Sequence, residues 1–242
     1  MTALLAIQQV TKRFRGLVAV DGVSLNVNRG DICGIIGPNG AGKTTLFNMI
    51  AGVFKPDAGS ITFAGAAIDG LTADAICRRG IGRTFQIVRP FPGLTVEDNV
   101  IIGALLRHRA VGTARSHARE LLRRLDLYEK RDDLASSLNL PNRKRLEVAR
   151  ALATEPQLLL LDEVMAGLRP TETDRMVALL RDLNASRGLT IVLIEHVMRA
   201  VMALSHHILV LHHGAAIAEG APEEVVRAPA VIESYLGVEP AA

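Results

Sequence analysis

The feature that most constrains this chain is a glycine-rich segment at residues 37–45 that ends in Lys-Thr-Thr. It matches the pattern G-x-x-x-x-G-K-S/T, a loop whose backbone N–H groups surround the phosphates of a nucleotide. An apolar run at residues 32–36 precedes the segment and a helical pattern at 43–51 follows it. The motif requires this strand–loop–helix context, so we expect the chain to bind a nucleoside triphosphate. The segment consists of Gly37, Pro38, Asn39, Gly40, Ala41, Gly42, Lys43, Thr44 and Thr45.

Each residue type in this segment has a physical reason to be there. Glycines let successive N–H groups turn toward phosphate oxygens, and the N-terminus of the following helix adds a partial positive charge. Lys43 is expected to neutralise the β- and γ-phosphates, and the hydroxyl of Thr44 to ligate Mg²⁺. The segment therefore predicts both a triphosphate and a magnesium ion.

A second chemical element is a pair of carboxylates, Asp162 and Glu163, that directly follows an apolar run at residues 158–161. A short run that is apolar throughout is typical of a strand covered on both faces in a parallel sheet. Its carboxyl end lies at the edge where α/β folds bind ligands. We expect Asp162 to hold Mg²⁺ through water and Glu163 to act as general base toward the attacking water. Two acids can also simply end a strand, but the phosphate-binding segment favours the catalytic interpretation.

Strand-like and helical patterns alternate along much of the chain, which predicts an α/β layered core. From about residue 88 to 153 the pattern is instead helical and Arg-rich, with an apolar stripe at 3–4 spacing. We expect this part to be a helical insertion in a core formed by residues 1–87 and 154–242. Strand-like runs lie at residues 4–10, 17–27 (interrupted by an Asp-Gly turn signal), 32–36, 60–63, 158–161 and 190–194. The stripe consists of Ala114, Ala118, Leu121, Leu122, Leu125 and Tyr128.

Composition argues against several other classes of protein. Of the 242 residues, 49% are hydrophobic and 22% charged, which is typical of a globular chain rather than a disordered one. Aromatic residues make up only 3%, with no Trp, so we expect no nucleic-acid partner that relies on base stacking. The two cysteines cannot form a disulfide framework, and the chain opens without a signal-peptide pattern. We therefore expect a reduced, cytoplasmic environment.

One uncharged window, residues 200–218, is long enough to span a membrane but contains two histidine pairs, at 206–207 and 212–213. Because histidine is costly in hydrocarbon, we interpret the window as a helix end, a short strand at 208–211 and a turn at Gly214. Four histidines could also suggest a metal site. Adjacent side chains on a strand point to opposite faces, so we expect neither pair to share a metal ion.

Further motifs, taken in order, make the chain resemble the ATP-binding cassette of ABC transporters. After the phosphate-binding segment come Gln86, a helical run at 145–152, the acid pair and His196. The resemblance spans essentially the whole chain and implies ATP hydrolysis by a RecA-like mixed sheet core, with an N-terminal antiparallel part and a helical subdomain. Finer similarity is to the LivG-type branch, which serves importers of branched-chain amino acids and has urea importers as close relatives. The segments that carry it are residues 83–86, 91–100, 218–225 and 231–237.

The resemblance also implies residue roles and partners. Phe14 would stack on adenine, Gln86 would contact Mg²⁺ and the attacking water, and His196 would contact the γ-phosphate. The partners would be two transmembrane permease subunits, a second ATPase subunit and a solute-binding protein that acts through the permeases. A segment from about residue 87 to 106 would receive a permease helix, and the chain would lie at the cytoplasmic face of the inner membrane.

The chain departs from the family at the signature loop, which is usually Leu-Ser-Gly-Gly-Gln or close to it. Pro141 has no N–H to donate, and Leu140 adds bulk where the backbone should approach a phosphate. In the family this loop holds ATP that is bound to the opposite subunit. We therefore expect ATP on the partner to turn over slowly, and the partner to be a different chain with an intact loop. The residues here are Leu138, Asn139, Leu140, Pro141 and Asn142.

Two alternatives remain open. The solute is chosen by other subunits, so urea, amides and aromatic acids compete with branched-chain amino acids. The chain could also be an ABC-type ATPase that acts as a switch away from any transporter. Such proteins usually carry long coiled-coil insertions or two cassettes, and this sequence has neither.

Overall fold

The computed structural model describes residues 3–85 and 90–236. An antiparallel sheet of four strands comes from the first third of the chain. Its strands are β1 (Leu5–Phe14), β2 (Leu17–Val27), β4 (Ala58–Phe63) and β5 (Ala66–Ala67), in the order β2-β1-β4-β5. The expected interruption of β2 at residues 21–22 is wrong. Gly22 adopts φ 58°, and the pairing of β2 with β1 shifts register there, so the strand bulges without ending.

A second sheet of six strands forms the centre of the molecule. Its strands are β3 (Ile32–Ile36), β6 (Ile81–Arg83), β7 (Leu158–Asp162), β8 (Thr190–Ile194), β9 (His207–His212) and β10 (Ala215–Gly220). The order is β10-β9-β3-β8-β7-β6, and every pair is parallel except β9 with β10. Because β3 and β7 both pair with β8, their carboxyl ends lie at the same edge, two strands apart. The phosphate-binding segment follows β3 and the acid pair ends β7, so this topology brings the two together.

The helices follow the sequence patterns closely. They are α1 (Lys43–Ile50), α2 (Ala73–Arg79), α3 (Val96–Ala104), α4 (Val111–Arg124), α5 (Leu140–Leu152), α6 (Pro170–Arg187), α7 (Met198–Leu204), α8 (Pro222–Val225) and α9 (Pro229–Leu236). Along the chain, helices α3, α4 and α5 come between β6 and β7, and in space they pack against one another. The stripe of α4 is buried as expected, but Leu125 and Tyr128 lie beyond its end, because Asp126 adopts φ 53° and stops the helix.

The core is divided by the central sheet. Leu158 and Leu160 face one side, where they pack with the antiparallel sheet and α1. Leu159 and Leu161 face the other side, where they pack with α3 to α6. Every residue of β3, β7 and β8 is buried, as expected for strands covered on both faces. In the described parts of the chain, no helix has both the length and the apolar character needed to cross a membrane.

Candidate active site

The phosphate-binding loop leaves β3 and enters α1 along a path that glycine alone permits at two points. Gly37 adopts φ 145°, and a Cβ there would lie 2.0 Å from the carbonyl oxygen of Leu211. Gly42 adopts φ 101°, and a Cβ there would lie 2.3 Å from the carbonyl oxygen of Ala19. Both approaches are to backbone, which cannot yield as a side chain does. The glycines of the motif therefore set the shape of the loop in this chain.

The N-terminus of α1 is open. Its N-cap residue is Gly42, no side chain in the described chain caps it, and the first turn holds no acidic residue. Uncapped N–H groups at a helix N-terminus bind anions, helped by the partial positive charge of the helix. The local sequence therefore leaves these donors for a ligand instead of satisfying them internally.

Lys43 is folded onto the loop that carries it. Its Nζ donates to the carbonyl oxygens of Gly37 at 2.7 Å and Pro38 at 2.9 Å. Burial lowers the pKa of Lys43, and the nearby carboxylates of Asp162 and Glu163 oppose that shift. The ammonium thus rests on neutral carbonyl groups, which a phosphate can displace by offering a full negative charge.

Asp162 is nearly fully buried at the end of β7, and Arg83 of β6 is its partner. Arg83 Nη2 lies 3.2 Å from Asp162 Oδ2, while Arg83 Nη1 donates to Asn48 Oδ1 at 2.7 Å. Burial raises the pKa of Asp162, and the guanidinium of Arg83 acts against that shift. Asp162 Oδ1 is buried without a hydrogen-bond partner among the described residues. This spare carboxylate oxygen and the exposed hydroxyl of Thr44 are a donor set that fits Mg²⁺.

Glu163 is fixed by its backbone and meets His196 with its side chain. Its N–H donates to the carbonyl oxygen of Ile194 at 2.9 Å, and its own carbonyl accepts from Lys144 Nζ at 2.8 Å. Glu163 adopts φ 51°, an uncommon conformation for a residue with a side chain. Its Oε1 lies 3.0 Å from Nε2 of His196. The structure therefore holds the carboxylate and the imidazole as a hydrogen-bonded pair at the mouth of the site.

Most of the nucleotide-binding residues predicted from the sequence line one open cleft of ≈ 510 Å³, whereas Gly37, Pro38 and Asp162 are not among its lining residues. Phe14 lies at its rim, 38% exposed, with its ring centroid 5.1 Å from that of Phe54 in an edge-to-face arrangement. Lys12 Nζ lies 5.6 Å from the Phe14 centroid. A partly exposed ring beside the phosphate loop is what adenine stacking needs. Gln86 lies outside the described residues. The cleft is lined by Phe14, Leu17, Val18, Ala19, every residue from 39 to 45, Glu163, His196 and His213.

His213 lies in this cleft although the sequence did not suggest it. The rings of His212 and His213 are 4.0 Å apart, so the expectation that this pair would point to opposite faces is wrong. The reason is local, because β9 ends at His212 and His213 turns away from the strand direction with φ 47°.

Two buried carboxylates beside the site were also missed. Glu195 accepts a hydrogen bond from the N–H of Met165 at 2.8 Å, and burial raises its pKa to about 7. Glu147 on α5 accepts from the N–H of Phe85 at 2.6 Å, and burial likewise raises its pKa to about 7. Both carboxylates hold backbone next to predicted site residues. A charged residue directly after the apolar run of β8 was the available signal for Glu195.

The altered signature loop forms the N-terminus of α5. Asn139 is the N-cap residue, and its Oδ1 accepts from the N–H of Asn142 at 3.2 Å. Pro141 lies in the first turn and lacks an N–H. Leu140 is 43% exposed, and its Cδ2 approaches Gly167. This helix end therefore satisfies or removes donors that α1 leaves open.

Comparison with known proteins identifies the family of the chain. A family model described as ABC transporter matches residues 20–166, and one described as branched-chain amino acid ATP-binding cassette transporter matches residues 217–241. The chain is 41% identical to the high-affinity branched-chain amino acid transport ATP-binding protein LivG of Salmonella typhimurium, over 97% of this chain and 98% of that protein. It is 39% identical to the corresponding protein BraF of Pseudomonas aeruginosa, with the same coverage.

Solved structures give the same result for the fold. The chain superposes on the ADP conformation of an ATP-binding cassette of an ABC transporter with a TM-score of 0.89. The two are 32% identical, and the match covers 98% of this chain and 100% of the other.

Proposed function

The chain belongs to the ABC transporter family of ATP-binding cassettes, and on that premise we propose that it hydrolyses ATP to drive the import of branched-chain amino acids. The observation that carries the proposal is the cleft in which the open N-terminus of α1, Glu163 and His196 meet, with Asp162 directly before Glu163 at the end of β7. The match of residues 217–241 to the branched-chain amino acid cassette model favours that class of importer.

Hydrolysis begins with the triphosphate on the loop. Its phosphate oxygens accept hydrogen bonds from the uncapped N–H groups of α1. The ammonium of Lys43 leaves the carbonyl oxygens of Gly37 and Pro38 and binds the β- and γ-phosphates instead. Asp162 and Thr44 would hold Mg²⁺, which when bound offsets the negative charge of the β- and γ-phosphates. Phe14 stacks on the adenine at the rim of the cleft. The chain thus fixes the nucleotide at both ends.

Glu163 is the general base. The attacking water gives its proton to the Glu163 carboxylate, and its oxygen forms a bond to the γ-phosphorus. The bond from that phosphorus to the bridging β–γ oxygen breaks, which yields ADP and phosphate. His196 Nε2 lies 3.0 Å from Oε1 of Glu163. By the resemblance to the family, His196 would contact the γ-phosphate, and Gln86 would contact the water and Mg²⁺. The backbone bonds of Glu163 to Ile194 and Lys144 keep the base in position.

A second cleft supports the proposal that permeases bind this chain. It encloses ≈ 300 Å³ and is lined by aromatic and aliphatic side chains with Glu147 and Arg150 at its base. Phe85 is 53% exposed, Phe91 43% and Ile102 43%, an apolar surface that a permease helix would cover. The cleft borders Phe85, the residue before Gln86. We propose that one of the two permease subunits places a helix in this cleft, and that the chain lies at the cytoplasmic face of the inner membrane.

The signature loop points to unequal sites. The ATP site of this chain is completed by the signature loop of a second ATPase subunit. The ATP site of that subunit is completed by Asn139, Leu140 and Pro141 of this chain. With its donors capped or missing, α5 holds the γ-phosphate weakly, so the partner site turns over slowly. A copy of this chain as partner would carry the weak loop twice, which favours a different chain.

The solute is tested in the assembled transporter. The tagged chain, expressed at its native level, is recovered from solubilised membranes, and the proteins that accompany it are identified. Two hydrophobic permeases and a second cassette are expected. ATP hydrolysis in proteoliposomes is then measured with the solute-binding protein loaded with leucine, urea, an amide or an aromatic acid.

Stimulation by the leucine-loaded protein supports the proposed solute, and stimulation only by another solute replaces it. Recovery of the chain without any membrane protein would overturn the transport proposal and favour a switch outside transport.

A further inference from the structure

Three side chains that the ATPase chemistry does not use meet beside helices α3, α4 and α5. His108 follows α3, His117 lies on α4, and Glu155 follows α5. Glu155 Oε1 is 2.7 Å from His108 Nε2 and 3.7 Å from His117 Nε2. The two imidazole centroids are 5.0 Å apart. One ligand atom from each of the three residues lies within 4.8 Å of the other two.

A hydrogen bond between His108 and Glu155 explains only two members of this cluster. The side chain of His117 is 15% exposed, and its Nε2 is buried with no hydrogen-bond partner among the described residues. The 3.7 Å to Glu155 Oε1 is too long for a hydrogen bond. A buried imidazole nitrogen without a partner destabilises the folded state, so some group is expected to complete the cluster.

We propose that His108, His117 and Glu155 bind a divalent transition-metal cation of the Zn²⁺ type, with water as the fourth ligand. Two imidazoles and one carboxylate form a known ligand set for Zn²⁺, whereas Mg²⁺ and Ca²⁺ prefer oxygen ligands throughout. Zn²⁺ bonds of about 2.0–2.2 Å place tetrahedral ligand atoms about 3.3 Å apart. The three ligand atoms, which lie within 4.8 Å of one another, must move toward that spacing. The 2.7 Å contact of His108 with Glu155 lengthens when the metal replaces the shared proton, which is released to solvent.

The charges around the cluster tolerate an added cation. Glu120 and Arg187 are two further charged groups that act on His117, and they pair with each other at 3.2 Å. Arg107 directs its guanidinium to the carbonyl oxygens of Thr154 and Arg78. These arginines therefore have partners of their own, and Glu155 is left to offset part of the metal's charge.

Metal binding would join three separate parts of the chain. His108 lies in the connection after α3 and His117 on α4, while Glu155 lies in the connection that runs from α5 into β7, the strand that ends at Asp162. A bound cation would restrain the helical segment against the strand that carries the acid pair. It would also raise the free energy of unfolding, by an amount that grows with the logarithm of the ratio of metal concentration to dissociation constant.

The proposal is tested with the full chain, stripped by chelator and kept in excess Mg²⁺ so that oxygen-rich sites are occupied. Zn²⁺ binding is followed by calorimetry, and Co²⁺ binding by its visible absorption spectrum. One equivalent is expected for the wild type, with a rise in unfolding temperature. Glu155→Gln and His117→Gln are each expected to weaken binding by at least about tenfold. Glu155 is exposed, so its variant stays informative if His117→Gln folds poorly.

Two control variants separate this cluster from other metal-binding side chains. His212→Gln alters another histidine pair, and Cys77→Ser removes the partly exposed thiol. Both are expected to bind Zn²⁺ as the wild type does. The proposal is overturned if the wild type binds no Zn²⁺, if Glu155→Gln binds as tightly as the wild type, or if either control variant loses binding.

Discussion

Two helix N-termini in this molecule differ both in the backbone conformation of their N-cap residues and in their chemistry. The N-terminus of α1 begins at Gly42, carries no capping side chain in the described chain, and lies in the cleft beside Glu163 and His196. The N-terminus of α5 begins at Asn139, whose side chain accepts the N–H of Asn142, and has Pro141 in its first turn. One end leaves its donors for an anion, whereas the other satisfies or lacks them.

The difference shows that a helix N-terminus becomes a phosphate site only when the local sequence leaves it unsatisfied. At α1 no side chain larger than glycine could occupy the cap position, since a Cβ at Gly42 would strike the carbonyl of Ala19. At α5 the cap position is free to take Asn, and Asn stabilises the helix by closing it. Stability and phosphate binding therefore compete for the same N–H groups.

The largest expected effect, on the rate of ATP hydrolysis, comes from removing the general base beside the N-terminus of α1. Glu163→Gln retains the shape of the side chain and a contact with His196 but cannot accept a proton. We expect ATP hydrolysis to fall by about 10²-fold or more while ATP binding stays near that of the wild type. Single-turnover hydrolysis and nucleotide binding measure the two quantities separately. Glu129→Gln, on the exposed surface, is the matched control. Near-normal hydrolysis in Glu163→Gln would mean that the base lies elsewhere.

Lys43→Ala tests the open N-terminus itself. The ammonium supplies charge-assisted hydrogen bonds to phosphate, each worth about 1.5–3 kcal/mol, so ATP affinity should fall about 10- to 100-fold. Equilibrium titration with a fluorescent ATP analogue measures the loss. Lys130→Ala, at an exposed position, should bind as the wild type does. Equal affinities for Lys43→Ala and Lys130→Ala would show that backbone donors alone carry the site.

The site at the N-terminus of α1 was also the one that the sequence could predict. The phosphate loop and the acid pair are local patterns, because each follows an apolar strand and is recognised from a few consecutive residues. Their proximity in the structure depends on the strand order β3-β8-β7, which neither sequence pattern contains.

The supporting contacts could not be predicted, for the same physical reason. Arg83 pairs with Asp162 across 79 positions because β6 and β7 are neighbours in the sheet, and Lys144 reaches Glu163 from α5. The cluster of His108, His117 and Glu155 comes from three separate elements. Periodicity tells which face of an element is buried, but it does not tell which element covers that face.

The N-terminus of α5 can be given free N–H donors by restoring the family sequence. Replacing Asn139, Leu140 and Pro141 with Ser-Gly-Gly returns backbone donors to the N-terminus of α5. If the partner site is the slow one, both sites then contribute equally, and turnover of the assembled transporter should rise by about twofold. ATPase assays in proteoliposomes, together with the nucleotide trapped at the partner site, measure the change.

Asn139→Ser alone is the control for this triple variant, since it retains both Leu140 and Pro141. It should leave turnover unchanged. If the triple variant shows neither faster turnover nor less nucleotide trapped at the partner site, the asymmetry proposal fails.

The smallest effect concerns the cap alone. Asn139→Ala removes the oxygen that accepts the N–H of Asn142, and loss of an N-cap side chain costs about 1 kcal/mol. For a chain of this size, that loss lowers the unfolding temperature by about 2–4 °C. Asn139→Ser keeps a capping oxygen and should unfold near the wild-type temperature, and ATP binding at α1 should be the same in all three proteins. An unfolding temperature for Asn139→Ala equal to that of Asn139→Ser would show that the side chain does not close this helix, and only the missing N–H of Pro141 would then distinguish α5 from α1.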